Sequence, residues 1–357
     1  MKKLVASVSL ISLLFLLWGC PGGVHKKYDY DAYFPTTPVN FGFVNSPYDD
    51  YNSILPEFHY GKHLVFSSNR ATEGGDFSFV HDNFNVTWYM ETSELLVNND
   101  YLGDGNIVAQ MISKVNWEGN EFGPYAIGFD TMINENYGRI SLLAYSTNNE
   151  DEAYHEEFLY YFSDNDGATG TVYGPFDIPF LSNSSHQQYI SFFGPSVVSI
   201  DFGGLKPNLF TEMYFDSFDN GLADIYKINI PQGTEFIRFL SDTAIYDRHL
   251  IEKLSSSSND RCPFVNGNFM VFTSDRPGGF GGYDLYYSRY EGASWSQPVN
   301  FGDRINTEYD EFRPVAMQVD GFKNDVMIFS SNRPGGKGGF DLYYVGIDKI
   351  TPNPVIE

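Results

Sequence analysis

The residues best suited to chemistry in this chain are carboxylates and arginines, and most of them recur. Asp50, Asp260 and Asp310 each stand before an apolar strand, while Arg70, Arg276 and Arg333 each close one. Asp284 and Asp341 begin the aromatic runs Asp284-Leu285-Tyr286-Tyr287 and Asp341-Leu342-Tyr343-Tyr344. A catalytic residue normally occurs once, so side chains repeated per unit point to structure: arginine forks bridging carboxylates or loop carbonyls between units. A ring of Asp50, Asp260 and Asp310 around one opening would also suit a cation or acid/base work, whereas the everyday use of such an aspartate is to cap a loop.

Other chemical patterns are incomplete. Asp164-Asn165-Asp166-Gly167 begins like a calcium loop but lacks the later ligands and the glutamate at its twelfth position. No cofactor is therefore expected beyond, at most, a structural Ca2+. His59 and His63 have the i, i+4 spacing that makes a zinc site on a helix, yet Tyr60-Gly61-Lys62 reads as a turn between strands. No Gly-x-Ser-x-Gly elbow occurs, and the Pro-Gly-Gly-x-Gly-Gly segments lack the Lys-Ser/Thr that would hold a phosphate. Cys262 lies in an apolar context and reads as a small buried residue.

Positioning these residues is the work of an internal repeat. Val271 to Tyr287 and Ile328 to Tyr344 match closely, each with an apolar strand, Ser-Asp-Arg or Ser-Asn-Arg, a Pro-Gly-Gly loop and Asp-Leu-Tyr-Tyr. Weaker copies stand at Val65–Arg70, Tyr214–Tyr226 and Leu142–Asn148 with Phe158–Tyr161. Each is a hairpin: proline fixes φ, and the glycines supply conformations a tight loop demands. Trp295 to Gly302 and Pro38 to Gly42 repeat a Pro-Val-Asn-Phe-Gly strand outside the hairpin. Four strands per unit is the pattern of a propeller blade.

Arg70, Thr147, Ser217, Arg276 and Arg333 mark five units, none spaced widely enough to hide a sixth. The sequence therefore predicts an all-β, five-bladed propeller of four-stranded antiparallel blades, with insertions near residues 80–105 and 149–156. The last unit lacks its own Pro-Val-Asn strand, and the orphan copy at Pro38–Gly42 is expected to close it, covering an exposed edge. Abundant Tyr (26), Phe (32), Gly (34) and Pro (18) agree with many short strands and tight turns.

Lys2 and Lys3 precede an apolar run from Leu4 to Leu17, too short to span a bilayer comfortably and suited to secretion. Leu17-Trp18-Gly19-Cys20 resembles a bacterial lipobox, which implies cleavage before Cys20 and lipid on its sulfur. Only one other cysteine, Cys262, exists, so lipidation leaves no intramolecular disulfide. The expected organisation is a signal peptide over 1–19, a tether over 20–33, the propeller over 34–346 and a tail over 347–357. Against 46 acidic residues stand 22 basic ones without a basic run, which argues against nucleic acid as a partner.

The blades resemble the TolB-type, WD-like propeller repeat of bacterial envelope proteins, on the pattern at Ser274–Tyr286 and Ser331–Tyr343. With the lipobox, that resemblance implies an outer-membrane lipoprotein of the Bacteroidota envelope, anchored by its lipid and working with other envelope proteins. The expectation is a non-enzymatic docking scaffold in a secretion or assembly complex. Its contact surface would be the insertion bearing Phe79, Phe84, Trp88 and Tyr89, because regular blades are occupied with holding the ring. A glycan-binding or glycan-cleaving propeller is the alternative, using aromatic platforms and the acidic mouth.

Overall fold

The computed structural model describes residues 31–351, apart from 56, 59–60, 101–105, 117–118, 134–135, 149–152, 165–169, 183, 195–209 and 220. The signal segment, Cys20, His59 and the centre of the Asp164–Gly167 pattern lie outside the described residues.

The chain forms a five-bladed β-propeller. Strand β1 (Val39–Asn40) comes first and is set aside for the last blade. Blade 1 holds β2 (Asp50–Ile54), β3 (Glu57–Phe58), β4 (Gly61–Ser68) and β5 (Ser78–Asn83), with β2 and β3 pairing with successive stretches of β4. A two-stranded hairpin, β6 (Asn85–Tyr89) and β7 (Glu94–Asn98), and helix α1 (Asn106–Ile112) follow. Blade 2 comprises β8 (Glu121–Ile133), β9 (Asn136–Thr147), β10 (His155–Asp164) and β11 (Gly170–Asp177). In blade 3, β12 (Ile190–Phe193), β13 (Glu212–Ser217) and β14 (Asp224–Asn229) are followed by α2 (Phe236–Leu240) and β15 (His249–Leu250). Blade 4 is β16 (Asp260–Asn266), β17 (Phe269–Ser274), β18 (Asp284–Arg289) and β19 (Val299–Asn300). Blade 5 is β20 (Glu311–Met317), β21 (Asp325–Ser331), β22 (Asp341–Ile347) and, outermost, β1.

Closure by the orphan segment is as expected, and its register places Val39 opposite Tyr344 and Asn40 opposite Tyr343. Asn45 completes it, accepting from the Leu342 N–H at 2.9 Å and donating to the Leu342 carbonyl at 3.0 Å. Asn306 makes the same pair of bonds to Leu285 in blade 4. Every residue of β16, β17, β20 and β21 is buried, because a blade packed between neighbours has two covered faces and no solvent face.

The insertion in blade 1 is less free than the sequence suggests. Phe79 lies on the blade's third strand and Phe84 just after it, and both are in the core at 3% and 0% exposure. Phe84 sits edge-on to Phe41 at 5.7 Å. Trp88 is half-buried beside Tyr33, and only Tyr89 of the four is exposed. The Asn116 carboxamide bonds both the N–H and the carbonyl of Phe79, so a side chain covers an edge that a fourth strand would otherwise fill.

Candidate functional site: the channel mouth

The recurring polar residues lock the blades. In blade 1, Asp50 takes the Ser68 hydroxyl and the Arg70 guanidinium, whose Nη2 also donates to the Val44 carbonyl at 2.9 Å. Arg276 does the same with Asp260 and the Leu254 carbonyl, and Arg333 with Glu311 and the Ile305 carbonyl. The carboxylate lies in the arginine's own blade, and the carbonyl lies on the loop arriving from the preceding one. Each guanidinium also covers an aromatic ring of its second strand: Phe66 at 5.2 Å, Phe272 at 5.3 Å and Phe329 at 5.3 Å.

Asp284 and Asp341 cap the glycine loops. They accept from Phe280 and Gly281, and from Lys337 and Gly338, and each also takes the carboxamide of an outer-strand asparagine, Asn300 or Asn40. Only one glycine of each Pro-Gly-Gly needs positive φ, Gly278 at 95° and Gly335 at 93°. Gly281 and Gly338 serve close approach instead, since a Cβ there would stand 2.1 Å from the Tyr309 carbonyl and 1.8 Å from the Tyr48 carbonyl. Asp310 accepts from the Tyr283 N–H and from Asn332. The three aspartates read as a possible acidic ring are therefore engaged: Asp50 and Asp260 are fully buried, and Asp310 latches one blade to the next. Among the described residues, no three or more His, Cys, Asp or Glu gather as a metal site.

What faces the channel is set one position further on. The second residue of the inner stretch in each blade is Tyr51, Phe122, Tyr189, Arg261 or Phe312. After that residue, in four of the blades, the pairing register shifts, between Tyr51 and Ile54, Phe122 and Tyr125, Arg261 and Phe264, and Phe312 and Val315. The third residue there has positive φ: Asn52 58°, Gly123 58°, Cys262 55° and Arg313 50°. Such bulges bend the strand and re-aim side chains, which lets large residues converge on the axis.

The result is an aromatic collar around one guanidinium. Tyr51 packs on Phe77 (5.0 Å), Phe122 (5.9 Å) and Phe340 (5.8 Å), and Phe312 packs on Tyr189 (6.0 Å) and Tyr283 (5.4 Å). Arg261 lies 5.0 Å from the Phe218 ring, 5.4 Å from Tyr189 and 5.8 Å from Phe312. Its Nε donates to Asp216 at 3.0 Å and its Nη2 to the Gln187 carbonyl. Burial is the largest single influence and opposes the Arg261 charge, but Asp216, Tyr189 and Cys262 together outweigh it and hold the guanidinium above its usual range. Tyr189 beneath is fully buried, and burial pushes its phenol well up.

Two carboxylates flank the floor. Asp216 accepts the Tyr189 N–H at 2.6 Å, and Glu156 accepts the preceding Gln188 N–H at 3.1 Å and the Ser146 hydroxyl at 3.0 Å. Burial, and to a smaller degree Asp216, push the Glu156 carboxyl up to about 8. Outward, the mouth continues into a cleft of about 190 Å³ bordered by Ser182, His186, Gln188, Phe218, Asp219 and Arg248. There His186 stacks on Phe218 at 3.9 Å. The recurring residues of the sequence do not mark this site. Its signal is the position after Asp50, Glu121, Asp260 and Glu311, where the large residues Tyr51, Phe122, Arg261 and Phe312 follow an acidic one.

No protein-family model matches the chain, and no curated protein matches it. Solved structures do. One described as a glycoside hydrolase is 9% identical, covering 90% of this chain and 95% of its own with a TM-score of 0.48. A putative glycoside hydrolase from Parabacteroides distasonis is 10% identical, with coverages of 94% and 97% and a TM-score of 0.44. A GH43 beta-xylosidase/alpha-arabinofuranosidase from a compost microbial metagenome is 9% identical, with coverages of 90% and 100% and a TM-score of 0.41. These are glycoside-hydrolase propellers rather than TolB-type repeat proteins. They correct the TolB-type, WD-like resemblance and the non-enzymatic docking role taken from it. The physical reason is that Ser-Asn-Arg, Pro-Gly-Gly and Asp-Leu-Tyr are ring-locking parts that carry no information about partners. At such identities and TM-scores, the likeness carries no argument about substrate.

Proposed function

We propose that the protein recognises carbohydrate at the channel mouth. The observation that carries this reading is the collar of Tyr51, Phe77, Phe122, Tyr283, Phe312 and Phe340 around Arg261. A sugar ring has an apolar C–H face that suits an aromatic surface, and hydroxyl edges that suit a few fixed polar groups. The cleft beside Phe218, with Ser182, Gln188 and Arg248, supplies such groups for a second sugar unit. A lipid at Cys20 would hold this mouth at the outer membrane of a cell envelope.

Cleavage is a second reading, favoured by one pair. Glu156 keeps its proton to about pH 8 beside Asp216, which is hydrogen-bonded to Arg261. A carboxyl that keeps its proton close to a second carboxyl group is a pairing that acid/base hydrolysis of a glycosidic bond uses. Both side chains lie beneath the mouth at 1% exposure, so binding is the primary reading. The test is a glycan array followed by calorimetry, with wild type, Tyr51→Ala and Phe340→Ala, and with product analysis on every glycan bound. Binding lost in the folded variants supports the reading. A wild type that binds no glycan overturns it, and released sugar that disappears in Glu156→Gln establishes cleavage.

A further inference from the structure

Beneath Tyr189 lies a second polar centre that the mouth does not use. Arg313 is fully buried and occupies the strained third position of β20, where blade 2 carries Gly123. Its Nη2 donates at 3.0 Å to the Pro124 carbonyl of blade 2. Blades 5 and 2 are not neighbours in the ring, so this side chain crosses the channel. Its Nε and Nη1 find no acceptor among the described residues. The carboxamide of Asn52, at the same strained position in adjoining blade 1, is also fully buried and has neither donor nor acceptor satisfied among them.

The charges do not balance. Arg261 and Arg313 stand on one ring, each 5.4 Å from the centre of Tyr189. Against these two guanidiniums the floor offers Asp216, already bonded to Arg261, and Glu156, which holds its proton to about 8. An arginine does not give up its proton in a protein, and a buried charge without a partner is costly. Burial accordingly works against the Arg313 charge. The remaining wall is the Cys262 thiol, itself fully buried and pushed well above its usual range, first by burial.

We propose that the closed centre of the channel binds one small monovalent anion, halide in size, between Arg313 Nε and Nη1 and the Asn52 amide. This site is independent of carbohydrate binding. A sugar cannot reach it, because Tyr189, Cys262 and Arg313 are all at 0% exposure. A divalent anion would overshoot the single missing charge and lose more hydration on entry. The ligand stabilises the ring by joining blades 5, 1 and 2 across the axis.

Two measurements test this. Crystals grown in sodium bromide should give an anomalous bromine peak within hydrogen-bonding reach of Arg313 and Asn52. Ordered water alone at that place overturns the proposal. Thermal unfolding at constant ionic strength should rise by roughly 5 °C when gluconate is replaced by chloride at about a hundred times its dissociation constant. Arg313→Met should remove the dependence. If that variant fails to fold, Asn52→Ala should weaken the apparent halide affinity about tenfold, the value of one charge-assisted hydrogen bond. A wild type whose unfolding ignores the halide overturns the proposal as surely as an empty difference map.

Discussion

Replacing Glu156 by glutamine should stabilise the protein at alkaline pH and leave it almost unchanged in acid. The carboxyl is at 1% exposure, its Oε1 is held by Ser146 and Gln188, and its Oε2 has no partner among the described residues. Burial lifts it from 4.5 to about 8. Between those values the native state keeps a proton that the unfolded chain has released, so unfolding releases a proton and stability falls as pH rises. The slope is about 1.4 kcal/mol per pH unit, which amounts to about 4 kcal/mol between pH 5 and pH 8. Below 4.5 both states are protonated and the penalty vanishes; above 8 it is constant. Glutamine has the shape of the protonated acid, and its carbonyl can accept the same two bonds, so the variant should lack this slope. Other buried acids, such as Glu311 and Asp325, also titrate upward and contribute to the total dependence, but they cancel in the difference between the two proteins. Urea unfolding at pH 5, 6.5 and 8 reads that difference directly. Parallel stability curves for wild type and variant would refute the burial argument, and with it the proton inventory of the channel floor.

Four further outcomes follow from the same geometry. Asn45→Ala leaves the Leu342 N–H unpaired at the seam, while the Leu342 carbonyl keeps the Phe41 N–H, and should cost about 1–2 kcal/mol in chemical unfolding, with the seam exchanging amide hydrogens first. Gly338→Ala places a methyl group 1.8 Å from the Tyr48 carbonyl and should lower Tm far more than Gly335→Ala, whose Cβ meets nothing within 4 Å, although its φ of 93° is itself unfavourable. His63 and His81 touch through Nδ1 and Nε2 at 2.9 Å, and burial depresses both, His63 to about 4. Their contribution is present above the unfolded value of 6.5 and is lost as pH falls towards 4, so His63→Gln should flatten the acid limb of the Tm profile. Cys20→Ala should move the protein from the membrane to the soluble fraction, and a wild-type amino terminus without lipid by mass spectrometry would end the anchoring proposal.

The sequence by itself determined the ring. Strand and turn chemistry is local: alternating aromatic strands, a proline that sets φ and a glycine at 278 or 335 that accepts positive φ announce a hairpin wherever they occur. Repetition then fixes the number of blades, and the orphan Pro38–Gly42 fixes the closure seen between β1 and β22. Tertiary structure alone decided the site. Tyr51, Phe122, Tyr189, Arg261 and Phe312 are far apart in sequence and ordinary in type, and they meet only because five inner strands surround one axis. Likewise, Phe79 and Phe84 look like an aromatic insertion on paper, but pairing of β5 with β4 carries them into the core. Nothing in the composition reveals that Glu156 keeps its proton or that Arg313 crosses the channel. Proton affinity and charge balance depend on which groups are removed from water together, and closure of the ring decides that.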